Sequence, residues 1–341
     1  MNEFDELMTA LGAAGGDKAI LDDPDTAHLV VIGKRIVSSR SLPGLDVEAD
    51  ETEGGVRLKI RLREGVHLTT PVHTCFGIVH SRGDQHIEIE VILERNSSAR
   101  FIAHCLFPKA EHVRHIMDAH VEIGEGAMMS YQERHYHGPH GGIEVIPKAT
   151  VRIGSGGRYT SDFTLTDGRV GSLDIDYDVE AAADAIVELT ARVFGHGNDE
   201  IRIRERVVLG GQNARGIIKT RIAVEDDSLA EITGITEGNA AGARGHVDCM
   251  EIIRGRAVAK AIPIVSVTHP EAKVTHEAAI GSVDMHQLET LMAHGLTPEE
   301  AVDVIVKGML GPCNTSSFAP NPSKPPLIKG GLKASPLIRG D

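Results

Sequence analysis

Residues 97–133 read "SSARFIAHCLFPKAEHVRHIMDAHVEIGEGAMMSYQE", and the segment ends on the pattern with which it begins. A small or turn-forming pair leads into an alternating run at 97–105 and again at 125–133. The arrangement recurs as SGGRYTSDF (155–163), ADAIVELTA (183–191), QNARGIIKT (212–220), DSLAEITGI (227–235), GRAVAKAIP (255–263) and PEAKVTHEA (270–278). One small residue marks each: Ala99, Ala127, Gly157, Ala185, Ala214, Ala230, Ala257 and Ala272, separated by 28, 30, 28, 29, 16, 27 and 15 residues. A period near 29 with half-periods near 15 suits a β-solenoid, in which each coil stacks on the last and buries a continuous core. A β-sandwich, with turn signals roughly every 8–12 residues, fits the longer and steadier period less well.

The flanking sequence supports an all-β core. HLVVIGKRIVSS, GVRLKIRLREGVHL, QHIEIEVIL and IEVIPKATVRIG are β-branched runs, several with period-2 alternation, and strand signals extend over 28–282. Residues 1–27 form a helical segment, in which Phe4, Leu7, Met8 and Leu11 make an apolar stripe and Gly12 reads as the stop. Residues 283–311 return to helix. Leu288, Leu291 and Met292 share a face before Gly295. Thr297, Pro298 and Glu300 then form a capping box ahead of the stripe Val302, Ile305, Val306 and Met309. A stack of coils has open edges, so this helical pair reads as a cap or a docking surface. Residues 312–341, rich in Pro, Gly, Ser and Lys, read as a disordered tail.

Composition narrows the function. With 49 acidic and 35 basic residues the net charge is −14, which argues against nucleic acid as a partner. Four cysteines with no close pair do not make a disulfide framework. The N-terminus carries acid where a signal peptide carries base, and no apolar run approaches about 18 residues, so the expectation is a cytoplasmic protein that does not enter a membrane. Eighteen histidines suggest metal handling, whereas few aromatics and no Trp suggest thin, repetitive packing.

Four places invite a chemical reading. In ERHYHGPHGG, His135 and His137 lie two apart and so share a strand face; with His140 and Glu144 nearby they suggest a cupin-like metal site, although the Glu lies too far on for that pattern. His104 and Cys105 are adjacent on a strand and point to opposite faces, so they cannot both bind one ion without a bend. Cys249 follows the Gly/Ala-rich bend EGNAAGARGH and opens another strand; it is either a partly exposed soft ligand or a buried small hydrophobe. Cys75, amid apolar strand residues, reads as core, and Cys313 falls in or near the tail. The pair His276–Glu277 invites comparison with a zinc-protease helix, but that motif needs a second His at position 280, which is Ile280.

The runs RGHVDCMEII (244–253) and IPIVSVTHPEAKVTHEAAIGSVDMHQLETLMAHGLTPEEAVDVIVKGML (262–310) resemble the C-terminal half of the SufB/SufD scaffold proteins of iron–sulfur cluster assembly, and the likeness extends over about 70–310. The resemblance implies a right-handed parallel β-helix closed by C-terminal helices, on which a SufC-like ABC-type ATPase docks. It implies that a transient iron–sulfur cluster is built with Cys249 and Glu277, as in SufB, and it places the His used by SufD at His276. A flavin accompanies some complexes of the family, with no fingerprint for it in this sequence. The large N-terminal helical region of bacterial SufB is mostly missing, which is similar to the compact, archaeal-type scaffold and implies a homodimer joined through end strands near 260–280. The alternatives are a cupin-like metalloenzyme at His135 and His137, or a SufD-like adaptor that assembles nothing.

Overall fold

The computed structural model describes residues 2–311. The tail read at 312–341, with Cys313, lies outside them. Helix α1 (Glu3–Ala13) opens the chain. Strands β1 (His28–Ile32) and β2 (Arg35–Arg40) pair antiparallel, as do β3 (Leu45–Glu51) and β4 (Gly55–Leu62). From there the strands alternate between two sheets. They are β5 (Val72–Gly77), β6 (Arg82–Leu93), β7 (Ser98–Phe107), β8 (His112–Ile123), β9 (Met128–His137) and β10 (Ile143–Ile153). Next come β11 (Arg158–Asp167), β12 (Ser172–Ala181), β13 (Ile186–Gly195), β14 (Glu200–Leu209) and β15 (Arg215–Val224). The last are β16 (Leu229–Gly238), β17 (Arg244–Ile253), β18 (Val258–Val267) and β19 (Lys273–Gly281), followed by helices α2 (Met285–Ala293) and α3 (Pro298–Leu310).

Odd-numbered strands from β5 onward stack in parallel in one sheet, even-numbered strands from β4 onward in the other. The result is a parallel β-solenoid of about eight turns. Half-periods in the sequence are crossings between the sheets: Ala214 precedes β15, whereas Ala230 lies in β16. The repeat marks close tight turns. Ala127 N–H donates to Gly124 O (3.1 Å), Ala185 to Ala182 O (3.2 Å) and Ala214 to Gly211 O (3.2 Å). The residue before each such corner has positive φ and is Asn, Asp or Gly: Asn96 (53°), Gly126 (64°), Gly156 (66°), Asp184 (58°), Asn213 (58°) and Gly242 (70°). These are the residues that enter the left-handed region at least cost.

Inward positions fill one continuous core. Along β12 the inward residues are Leu173, Ile175, Tyr177, Val179 and Ala181, and each stacks on an inward residue of β14. The outward residues between them form facing columns, Asp174–Arg202, Asp176–Arg204 and Asp178–Arg206, linked by ion pairs one coil apart.

The helices lie on the flanks. Leu7, Met8 and Leu11 of α1 pack on Val30, Ile32, Cys75 and Leu106, and the helix runs past Gly12. The α3 capping box forms, with Thr297 N–H donating to Glu300 (2.8 Å) and Glu300 N–H to Thr297 Oγ1 (3.3 Å). Its stripe packs against Ala223, Ile252 and Phe194 on the outer face of the odd-numbered sheet. The helical pair therefore braces the side of the stack and leaves its end open. Among the described residues, strands β18 and β19 each pair on one side only, and Val258, Ile264, Val267 and Ile280 are exposed there. No helix among the described residues is long and apolar enough to cross a membrane.

The corners provide a direct test of the fold. Asn213→Val should destabilise the protein by about 1–2 kcal/mol more than Asn213→Gly, because a β-branched side chain resists the left-handed region. Denaturant unfolding of both variants measures the difference.

Candidate functional site

Cys249 occupies an inward position on β17 and is 1% exposed, stacked between Thr220 of β15 and Ala278 of β19. Of the two environments open to it in the sequence, the structure gives the buried one. Burial pushes its thiol up to about 11, partly offset by a hydrogen bond with Thr220. Two buried acids accompany it on inward positions. Burial raises Glu205 to about 8 and Glu251 to about 7, the latter tempered by Arg221. Among the described residues, neither carboxylate oxygen of Glu251 finds a hydrogen-bond partner, nor does Oε2 of Glu205. Sequence reading passed over both acids, yet Glu205 falls in phase with Ile201, Ile203 and Val207 in EIRIRERVVL, the apolar phase of that strand.

His276 and Glu277 lie on β19 and are exposed. His276 sits opposite Val247, so it shares the inner face with Cys249, displaced by two residues along the strand. Glu277 sits opposite Asp248 and faces outward. Within one chain, therefore, Cys249 and His276 line the same side of the terminal strands and Glu277 lines the other. Exposed Met250 and Ile280 border a groove of about 620 Å³ that continues past Glu251 to Gln287 of α2 and Met309 of α3.

His135 and His137 both point inward from β9 and are buried. The companions expected for them do not join: His140 is exposed and Glu144 pairs with Arg114 outside. Their partners are Glu133, two residues back on the same face, and Cys105, directly opposite His135 on β7. His135 Nε2 lies 2.7 Å from Glu133 Oε1, and the Cys105 thiol donates to the same oxygen over 3.8 Å. Tyr131 donates to Glu133 Oε2 (3.0 Å). His104 points the opposite way, toward Gly16 beyond the end of α1. The period itself was the missed signal, since 30 residues separate Cys105 from His135. A cupin barrel is excluded by the parallel coils.

Residues 78–309 match the model for the SufBD core domain of the SUF system of FeS cluster assembly. The chain belongs to the SufBD family. It is 45% identical over 284 residues to an iron–sulfur cluster assembly SufBD family protein of Methanocaldococcus jannaschii, covering 83% of this chain and 90% of the relative. A SufBD family protein of Pyrococcus horikoshii is 31% identical over 311 residues, 91% of this chain and 94% of the relative. The iron–sulfur cluster assembly protein SufB of Bacillus subtilis is 21% identical over 260 residues, 74% of this chain and 55% of the relative. Membership of this family implies a role in iron–sulfur cluster assembly.

The buried acid Glu205 gives stability a defined pH dependence. An unfolded Glu205 ionises near its ordinary value of 4.5, whereas the folded chain holds the proton to about 8, so folding is favoured at low pH and loses that advantage as pH rises between the two. Glu205→Gln removes the titration. Its stability relative to wild type should rise from pH 5 to pH 8 by about 1.4 kcal/mol per unit and level off above, measured by urea unfolding across pH.

Proposed function

We propose that this SufBD-family chain is a scaffold on which an iron–sulfur cluster is assembled as cargo and then released. The assembly residues are Cys249, His276 and Glu277. The observation that carries the reading is the position of Cys249, a thiol one strand inside an end of the solenoid that none of the described residues covers. Thiolate sulfur is the soft ligand for iron, and imidazole or carboxylate completes a labile set. To bind iron, the Cys249 S–H bond breaks and its proton passes to a base. Glu251, two positions along on the same face with free carboxylate oxygens, is the acceptor at hand. One thiolate per chain holds a cluster weakly, which suits a site that must give its product away.

The partner reading rests on the same open end. A homodimer formed through β18 and β19 would pair both unpaired edges and cover Val258, Ile264, Val267 and Ile280. It would also bring Cys249 and Glu277 of one protomer toward His276 of the other. A SufC-like ABC-type ATPase would dock on α2 and α3, which expose Met285, Met292 and Val304, and ATP hydrolysis would belong to that partner. ATP-driven closure would shift the two scaffolds against each other and open the buried thiol. The resemblance assigns no residue of this chain to a flavin.

Anaerobic reconstitution with iron and sulfide, with and without the ATPase, tests the assembly role through the visible charge-transfer absorbance. Wild type should form a cluster and Cys249→Ala should lose at least nine-tenths of it; a cluster undiminished in Cys249→Ala overturns the site. Light scattering tests the assembly state. Wild type should be a dimer that Ile264→Glu with Val267→Glu splits, and a wild type that stays monomeric alone and with the ATPase removes the homodimer.

A further inference from the structure

We propose that Cys105, Glu133, His135 and His115 form a structural site for one divalent transition-metal ion of the zinc type, enclosed in the solenoid core and separate from the cluster-assembly end. One donor atom from each of Cys105, Glu133 and His135 lies within 4.8 Å of the others, and all three residues are buried. Along the stack, β9 and β17 are four strands apart in their sheet, which places this group about 19 Å from the Cys249 level.

The hydrogen-bond chain identifies the vacant lone pair. The carbonyl of Arg169 can only accept, so His137 Nδ1 carries a proton and donates to it (2.9 Å). With that proton on Nδ1, the neutral tautomer of His137 leaves Nε2 as an acceptor. His135 Nδ1 therefore donates to His137 Nε2 (3.2 Å), which leaves His135 Nε2 facing Glu133 Oε1 at 2.7 Å. A nitrogen lone pair and a carboxylate oxygen approach that closely only with a proton or a cation between them. In a tetrahedral site with bonds of about 2.0–2.3 Å, the N···O separation is about 3.3 Å and S···O about 3.5 Å. The observed 2.7 Å and 3.8 Å lie on either side of those values, so these two separations each need a shift of about half an ångström. A cavity of about 40 Å³ bounded by Glu133, Tyr131 and Met117 gives the carboxylate room for that movement.

Charge decides the valence. Without metal the group holds two protons, one on the Cys105 thiol and one shared by Glu133 and His135, and is neutral overall. A divalent ion displaces both: the S–H bond and the shared N–H or O–H bond break, two protons leave, and thiolate, carboxylate and imidazole balance the ion. A monovalent or trivalent ion would leave net charge in the core, which is costly. The fourth donor is His115 of the facing sheet. It is 1% exposed, neither ring nitrogen has a hydrogen-bond partner among the described residues, and its ring centroid lies 6.2 Å from that of His135. The β9–β11 register breaks immediately beside His135, a local distortion of the kind found next to functional sites. Tyr131 and His137 then orient the ligands from outside the coordination sphere, as partners of metal-bound carboxylate and imidazole do.

Enclosure means that the ion enters as the chain folds, so the test uses full-length chain produced in cobalt-supplemented medium. Cobalt per chain and the absorbance of the purified protein are the readouts. Wild type should carry about one Co²⁺ per chain with a thiolate-to-cobalt charge-transfer band, and Cys249→Ala should keep both. Cys105→Ser should lose the charge-transfer band, and Glu133→Gln or His115→Phe should lower occupancy at least tenfold. If a variant does not fold, wild type and Cys249→Ala still decide. A wild type with under one-tenth of an ion per chain overturns the proposal and leaves a proton-sharing network. A band lost in Cys249→Ala and kept in Cys105→Ser assigns the metal to the assembly site instead. Because cluster formation is read separately, failure of either site leaves the other standing.

Discussion

In-register stacking of parallel coils is the constraint from which the rest of this structure follows. Along most of the stack each inward side chain lies on the inward side chain of the coil before it, the β9–β11 break beside His135 being an exception. For apolar residues the consequence is a continuous core. For polar residues it is stricter, because a buried polar group must find its partner within its own coil or one coil away. Cys105 over His135, and Thr220 beneath Cys249, are pairs produced by that rule. Glu205 and Glu251 are acids that the rule leaves with an unbonded oxygen among the described residues.

The outer face obeys the same geometry with different energetics. Columns of Asp and Arg pair across β12 and β14, and similar pairs join Arg57 to Glu88 and Lys59 to Glu90. Most of these groups are partly solvated, so each adds little stability. Their value is in register. A one-residue slip would turn Leu173 and Ile175 outward and set Asp174 and Asp176 in the core, and the charge columns oppose the slip from the other side.

Much of this architecture was legible in the sequence because it is periodic. The 29-residue spacing, its halves, the corner residues and the α3 capping box are local signals, and each reports a local cause. The placement of the helices was less legible. A 3.6-residue stripe such as Val302, Ile305, Val306 and Met309 announces that one face is buried, but not whether it meets the end of the stack or its flank; Ala223 and Ile252 provide the flank. The interior polar group fell between these cases. His135 and His137 were found from strand alternation, whereas Glu133 and Cys105 required the period and the alternation to be applied together. The exposure of Cys249 depended on phase, and Val247 before it with Asp248 between them held that phase in plain view.

A stack of identical layers also sets how such a chain can vary in length. Inserting or deleting one whole coil keeps the inward phase of the coils that follow, and the corners absorb the one- or two-residue differences between coils, whereas a residue added within a strand reverses the phase beyond it. Distances along the axis can therefore change only in steps of one strand spacing, about 4.8 Å. The level of Cys105 and the level of Cys249 are tied to each other by a ruler whose smallest division is a complete turn of the chain.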